Sequence, residues 1–172
     1  MQQWKQRGVT FAAIALVGLV ASACAENPTE FEPEVVPQDE WQVIEDVSFD
    51  ASLAVVLDSM TLTTTGVYWE DLVVGTGPAA LFGTTPLVTY TLWLTDGTEV
   101  ETGQFSFLMG NNRVISGFED GLNNTPTGGT RRMIIPPNRG YGGATQYDQF
   151  GNVTIRGGSV LIFEVTVDSI LG

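Results

Sequence analysis

The chain reads as an α+β domain in which a single short helix lies against one antiparallel sheet, and three features point there. Two stretches alternate apolar with polar side chains, one Asp-Gly pair stands where a hairpin would reverse, and only one segment carries a convincing helix start. In residues 87–94, Val88, Tyr90, Leu92 and Leu94 share one face and Thr89, Thr91 and Trp93 the other, the period of two that a half-buried strand requires. Asp96-Gly97 favours tight turns with positive φ, so the chain should reverse into residues 98–102 as the partner strand. Ser116-Gly117-Phe118-Glu119 has the spacing of a capping box, in which serine and glutamate satisfy each other's free amides. Gly121 and Pro126 keep that helix to a few turns. Residues 130–135 form a further strand, stopped by Pro136-Pro137. The closing strand, 160–170, sets Leu161, Phe163, Val165 and Val167 opposite Glu164, Thr166 and Asp168.

Composition narrows the function. A chain of 172 residues suits one domain with accessory segments, and a formal net charge of −13 repels phosphate backbones and anionic membrane surfaces, so no nucleic-acid partner is expected. There is no histidine, the commonest general base and metal ligand, and the only cysteine is Cys24. Catalytic triads, zinc sites and disulfide frameworks are all disfavoured.

The first 23 residues read as an export signal. Lys5 and Arg7 precede an apolar run from Val9 to Val20 that is too short to span a bilayer comfortably, and acidic residues follow it. Ala21-Ser22-Ala23 satisfies the small-x-small rule of ordinary secretion, while small residues directly before Cys24 resemble a bacterial lipobox, with Ala21 where leucine is usual. The expectation is a lipidated Cys24 that anchors an exported chain to a membrane, in the periplasm or at the cell surface. Residues 24–66 then read as a tether. From Ala25 to Asp58 there are ten acidic residues and no basic one, with Pro28, Pro33 and Pro37 stiffening the first part, so the stretch to about Asp39 should be extended and mobile. Residues 41–60 are less simple, because Trp41, Val43, Ile44, Val47, Phe49, Leu53, Val55, Val56 and Leu57 offer apolar surface that can dock on the domain.

Several separate blocks follow in order: Val88-Thr89-Tyr90, Leu94-Thr95-Asp96-Gly97-Thr98, Phe105-Ser106-Phe107-Leu108-Met109-Gly110, Val114 through Leu122, Ile135-Pro136-Pro137, Gly140-Tyr141-Gly142 and Leu161-Ile162-Phe163-Glu164-Val165. In order and spacing residues 67–172 resemble an FKBP-type peptidyl-prolyl cis/trans isomerase domain. The resemblance implies a curved antiparallel sheet wrapped around the short helix and a pocket for a proline ring. Phe118 would be its floor, where many members carry tryptophan. Tyr90, Phe105, Val114, Ile115 and Phe163 would form the walls, and Ile155 would line the rim. The Ile115 amide and the Tyr141 hydroxyl would hold the carbonyls flanking the proline. The implied partners are proline-containing unfolded or partly folded polypeptides, and no cofactor is implied.

Val100 and Glu101 depart from the family pattern, which usually has phenylalanine followed by aspartate. A valine should leave part of the wall unfilled, and the longer carboxylate should sit elsewhere. A longer polar loop over residues 142–154 is a second departure. Two function classes follow: an isomerase assisting the folding of exported proteins, or a non-catalytic module that binds proline segments as a chaperone. A purely structural surface lipoprotein would give no reason for the aromatic set to recur in pocket order.

Overall fold

A computed structural model describes residues 32–171; the signal segment, Cys24 and the start of the acidic stretch lie outside the described residues. In chain order the strands are β1 (Thr61–Leu62), β2 (Tyr68–Val73), β3 (Ala79–Ala80), β4 (Thr85–Leu94), β5 (Glu99–Ser106), β6 (Thr125–Pro126), β7 (Thr130–Ile135), β8 (Gln146–Tyr147), β9 (Val153–Ile155) and β10 (Leu161–Leu171), with helix α1 (Ser116–Leu122) between β5 and β6. The main sheet has six antiparallel strands in the order β1-β2-β7-β10-β4-β5, and β3-β6 and β8-β9 form separate pairs. The β4–β5 reversal falls at Asp96-Gly97, with Gly97 at φ 84°. This is the antiparallel sheet with one short helix that the sequence predicts.

Both faces of the sheet are buried at its centre. The period of two sends Met133 and Ile135 of β7, and Leu161, Phe163, Val165 and Val167 of β10, into a core with Phe118 and Leu122 of α1. Ile134 and Ile162 point the other way, into a second core with Ile44, Leu53 and Val160. The helix lies close on β7 because Gly117 and Gly121 face it. A Cβ on Gly117 would collide with the Ile135 side chain, and one on Gly121 with the Met133 sulfur.

Residues 41–60 cover the second face with the apolar side chains that offered a docking surface, and only the expectation of an extended, mobile stretch is corrected, for residues 32–39. The compact unit begins at Glu32. Val36 is 2% exposed; its N–H donates to the Gly143 carbonyl at 2.7 Å and its carbonyl accepts from Trp41 Nε1 at 3.0 Å. Ile44 and Leu53 are buried, and Phe49, Val55, Leu57 and Met60 pack around them. This segment uses short 3-10 turns at Gln38–Glu40, Ala51–Leu53 and Leu57–Ser59, which carry neither helical nor strand periodicity. Its apolar contacts are therefore hidden among its many carboxylates.

Two adjacent arginines fasten the edges of the two cores. Arg131, 3% exposed, pairs with Asp71 at 2.7 Å, stacks 3.7 Å over the Trp69 ring, and donates to the Gly121 and Asn123 carbonyls at 2.9 and 3.1 Å. It thereby satisfies carbonyls at the end of α1 that lack helical partners. Arg132, on the opposite face, pairs with Glu70 and Glu164 and donates to the Ala54 carbonyl of the N-terminal segment.

The capping box does not form. Ile115 occupies the N-cap without a side-chain bond, and the buried Glu119 carboxylate instead accepts from the Gly110 N–H at 3.1 Å. A carboxylate withdrawn from water needs a donor, and the loop after β5 supplies one. The bond ties residues 107–115 to the helix, and that loop forms one side of the site.

Candidate active site

A cavity of about 430 Å³ opens where α1 stops short of covering the sheet between β4, β5 and β10. Phe118 enters it from the first turn of α1 and is 2% exposed. Its ring stands edge-on to Phe163 of β10, with centroids 5.2 Å apart, and 6.0 Å from Phe105 of β5. Tyr90 of β4 closes the set, edge-on to Phe105 at 5.4 Å and 6.1 Å from Phe163. Such edge-to-face clusters hold aromatic rings in fixed orientations. Phe107, which no pocket role had suggested, backs both Phe105 and Phe118, at 5.3 and 5.8 Å.

Gly103 sits directly across from Tyr90 in the β4–β5 ladder. A Cβ there would lie 3.2 Å from the tyrosine ring, so glycine leaves the space that the Tyr90 ring occupies. The Tyr90 hydroxyl bonds to Glu101, and burial first, with that carboxylate second, pushes its pKa up to about 12. Tyr141, just after the 3-10 turn Pro137–Arg139, faces the cavity as well. Its pKa is raised too, by burial and then by the negative charge of Glu101. Both hydroxyls are thus protonated at neutral pH. The Tyr141 hydroxyl and the Ile115 N–H have no hydrogen-bond partner among the described residues, so both are free to donate into the cavity.

Of the ten side chains singled out from the sequence, eight come together on this cavity: the four aromatics at 90, 105, 118 and 163, with Glu101, Val114, Ile115 and Tyr141. Ile155 does not reach it. It lies in β9, 4% exposed, and packs in the helix-side core that also holds Phe118 and Phe163. Val100 also leaves the wall. The ladder pairs Leu92 with Glu101 and Trp93 with Glu99, which makes Val100 the extra residue of a β-bulge, half-buried against the core. A bulge re-aims the neighbouring side chains. Here Glu101 turns into the cavity beside Tyr90, and Leu92 lines the wall in place of Val100. Three lining residues were missed: Leu92, Asn112 and Arg113. Leu92 was readable from its alternation with Val88 and Tyr90. Asn112, at φ 51°, and Arg113 lie on an irregular loop that gives no periodic signal.

An aromatic floor, two protonated hydroxyls and a free backbone N–H thus meet in one cavity, on a sheet that grips one short helix. The family model described as FKBP-type peptidyl-prolyl cis-trans isomerase matches residues 80–168. The chain belongs to that family. It is 36% identical over 104 residues to FK506-binding protein 4 of Aspergillus oryzae and 30% identical over 132 residues to human FK506-binding protein 15. These alignments cover 58% and 70% of this chain but only 21% and 10% of the relatives' own lengths. Among solved structures, the crystal structure of AtFKBP13 superposes with a TM-score of 0.59 at 27% identity, covering 66% of this chain and 99% of that one.

Proposed function

We propose that this protein is a peptidyl-prolyl cis/trans isomerase that acts on proline-containing segments of unfolded or partly folded exported proteins. The observation that carries the reading is the cavity itself: four aromatic rings, each within 6.5 Å of at least two of the others, with donors only at the edge. Rotating an X-Pro bond must overcome a barrier of about 18–20 kcal/mol set by amide resonance. No nucleophile and no cofactor are required. The twisted amide is less polar at its C–N bond than the planar one, so withdrawing it from water favours the transition state over the ground state. Phe118 is the platform for the proline ring, and Phe105, Phe163 and Tyr90 exclude water around it. The Ile115 N–H and the Tyr141 hydroxyl hold the flanking carbonyls while the bond turns. An acceleration of about 10⁴ needs roughly 5.5 kcal/mol, which desolvation, shape and one or two hydrogen bonds can supply together.

Residues 1–23 direct export, and a lipid on Cys24 holds the chain at a membrane, where slow prolyl isomerisation limits the folding of clients. Mass spectrometry of the mature protein tests the anchor; an unmodified N-terminus at Cys24 would remove it. A second reading, a module that binds proline segments without turning them over, is favoured by the withdrawal of Val100 from the wall. A proline-peptide isomerisation assay run beside a binding titration on the same peptide separates the two. Turnover supports the enzyme, and binding without turnover replaces it with the module.

A further inference from the structure

The aromatic cavity does not end at its own rim. A second depression of about 490 Å³ lies beside it, and Phe105, Arg113 and Val114 line both. Its further walls include Phe107 and Leu108, and Leu108 is 44% exposed. Phe82, 54% exposed, stands against Gly110 at the end of the same loop. An extended chain whose proline occupies the first cavity has apolar surface to follow on this side.

Charge distinguishes the two ends of that path. Glu101 lines the first cavity only, whereas Arg113 stands at the junction of the two. Glu101 and Phe105 stand four positions apart in β5, about 13 Å of strand, so the carboxylate lies away from the second depression. The two charges form no ion pair with each other. Arg131, Arg132 and Arg156 are all engaged by carboxylates, while Arg113, like Arg139 outside both depressions, has no ion-pair or side-chain hydrogen-bond partner among the described residues. Among the described residues it is also the only cation lining either depression, in a chain whose net charge is −13. A guanidinium left unpaired amid such an excess of carboxylates is available to an anion brought by a ligand.

Resting on the isomerase reading of the first cavity, we propose that the substrate groove continues past Arg113 and reads the order of charges around the proline. The preferred segment carries an acidic side chain on the Arg113 flank and a basic one on the Glu101 flank. The overall negative field favours cationic peptides whatever their order. Only the local pair of opposite charges makes order matter.

Two peptides of one composition isolate this effect: Glu-Ala-Leu-Pro-Phe-Lys and Lys-Ala-Leu-Pro-Phe-Glu, blocked at both ends, each measured for Kd and for turnover with the full chain. One order should bind about fivefold to tenfold more tightly at low salt, and the difference should shrink by 0.5 M salt. In Arg113→Gln the ratio of the two Kd values should fall part of the way towards one, because Glu101 still reads one flank, and in Arg113→Glu, with a carboxylate on both flanks, it should fall to about one. Equal Kd values in the parent chain overturn the proposal, as does a ratio unchanged in Arg113→Glu. Failure of both peptides to bind overturns it together with the isomerase reading. An order-dependent Kd without turnover keeps the charge-reading groove and removes only the enzymatic reading.

Discussion

The two faces of the central sheet are built from alternate residues of the same strands, yet only one of them carries a site. On one face α1, seven residues long, covers Met133, Ile135 and Leu161 but stops short of β4 and β5. On the other, residues 38–60 seal Ile134 and Ile162 with a cover of irregular turns. An incomplete cover leaves an aromatic cavity over β4 and β5, whereas the cover over Ile134 and Ile162 keeps both at 1% exposure or less. The chemistry follows the gap.

The comparison breaks most visibly if the irregular cover is dispensable. A chain beginning at Val67 loses Ile44 and Leu53 and bares Ile134 and Ile162. Exposing large buried aliphatic side chains costs about 1.5–3 kcal/mol each, so the loss should reach roughly 5 kcal/mol, comparable with a whole domain's stability. Urea unfolding of the two chains measures it, and equal midpoints would make the cover ornamental.

Substitutions on opposite faces should then separate stability from turnover. Phe118→Ala should cost about 3–5 kcal/mol and Ile162→Ala about 2–5 kcal/mol in urea unfolding, because both leave cavities. Only Phe118→Ala should lower kcat/KM of the folded protein, by more than a hundredfold, since it removes the proline platform. A comparable loss of turnover in folded Ile162→Ala would mean that the two faces are not independent.

Within the site face, Tyr141→Phe removes one hydrogen bond worth about 0.5–1.5 kcal/mol net and should slow turnover about two- to tenfold with little change in stability. The rate should be flat from about pH 6 to 8, where tyrosines are protonated. It should fall only above the ordinary tyrosine value of 10.0, because the Tyr141 pKa is raised. A bell-shaped profile near neutrality would replace the dry-pocket mechanism with acid–base catalysis.

The smallest effect concerns Tyr90. Its pKa is raised from 10.0 to about 12 in the folded chain, so the folded state holds this proton more tightly than the unfolded one. The resulting stability is fully present below pH 10.0 and is lost as pH rises towards about 12. Unfolding midpoints across that window should fall less steeply in Tyr90→Phe, and an identical slope would place the titration elsewhere.

Much of this was legible in the sequence because it depends on local rules. Alternation assigned Tyr90, Phe163 and their neighbours to one face; Asp96-Gly97 marked the hairpin, and Pro136-Pro137 the end of β7. The spacing of the aromatic blocks brought eight of the ten chosen side chains to one cavity. What escaped depends on partners distant in the chain. The bulge that withdraws Val100 and presents Glu101 exists only in the register of β5 against β4. Glu119 could cap its own helix or hold Gly110, and burial of the carboxylate against that loop decided which. Residues 32–39 look like a charged spacer, and the apolar side chains of residues 41–60 announce a docking surface without its place, since a single strand's alternation reveals two faces but not what will cover each. Periodicity is a property of neighbours along the chain, whereas register, cover and the position of an unpaired arginine are settled only when distant segments compete for the same buried space.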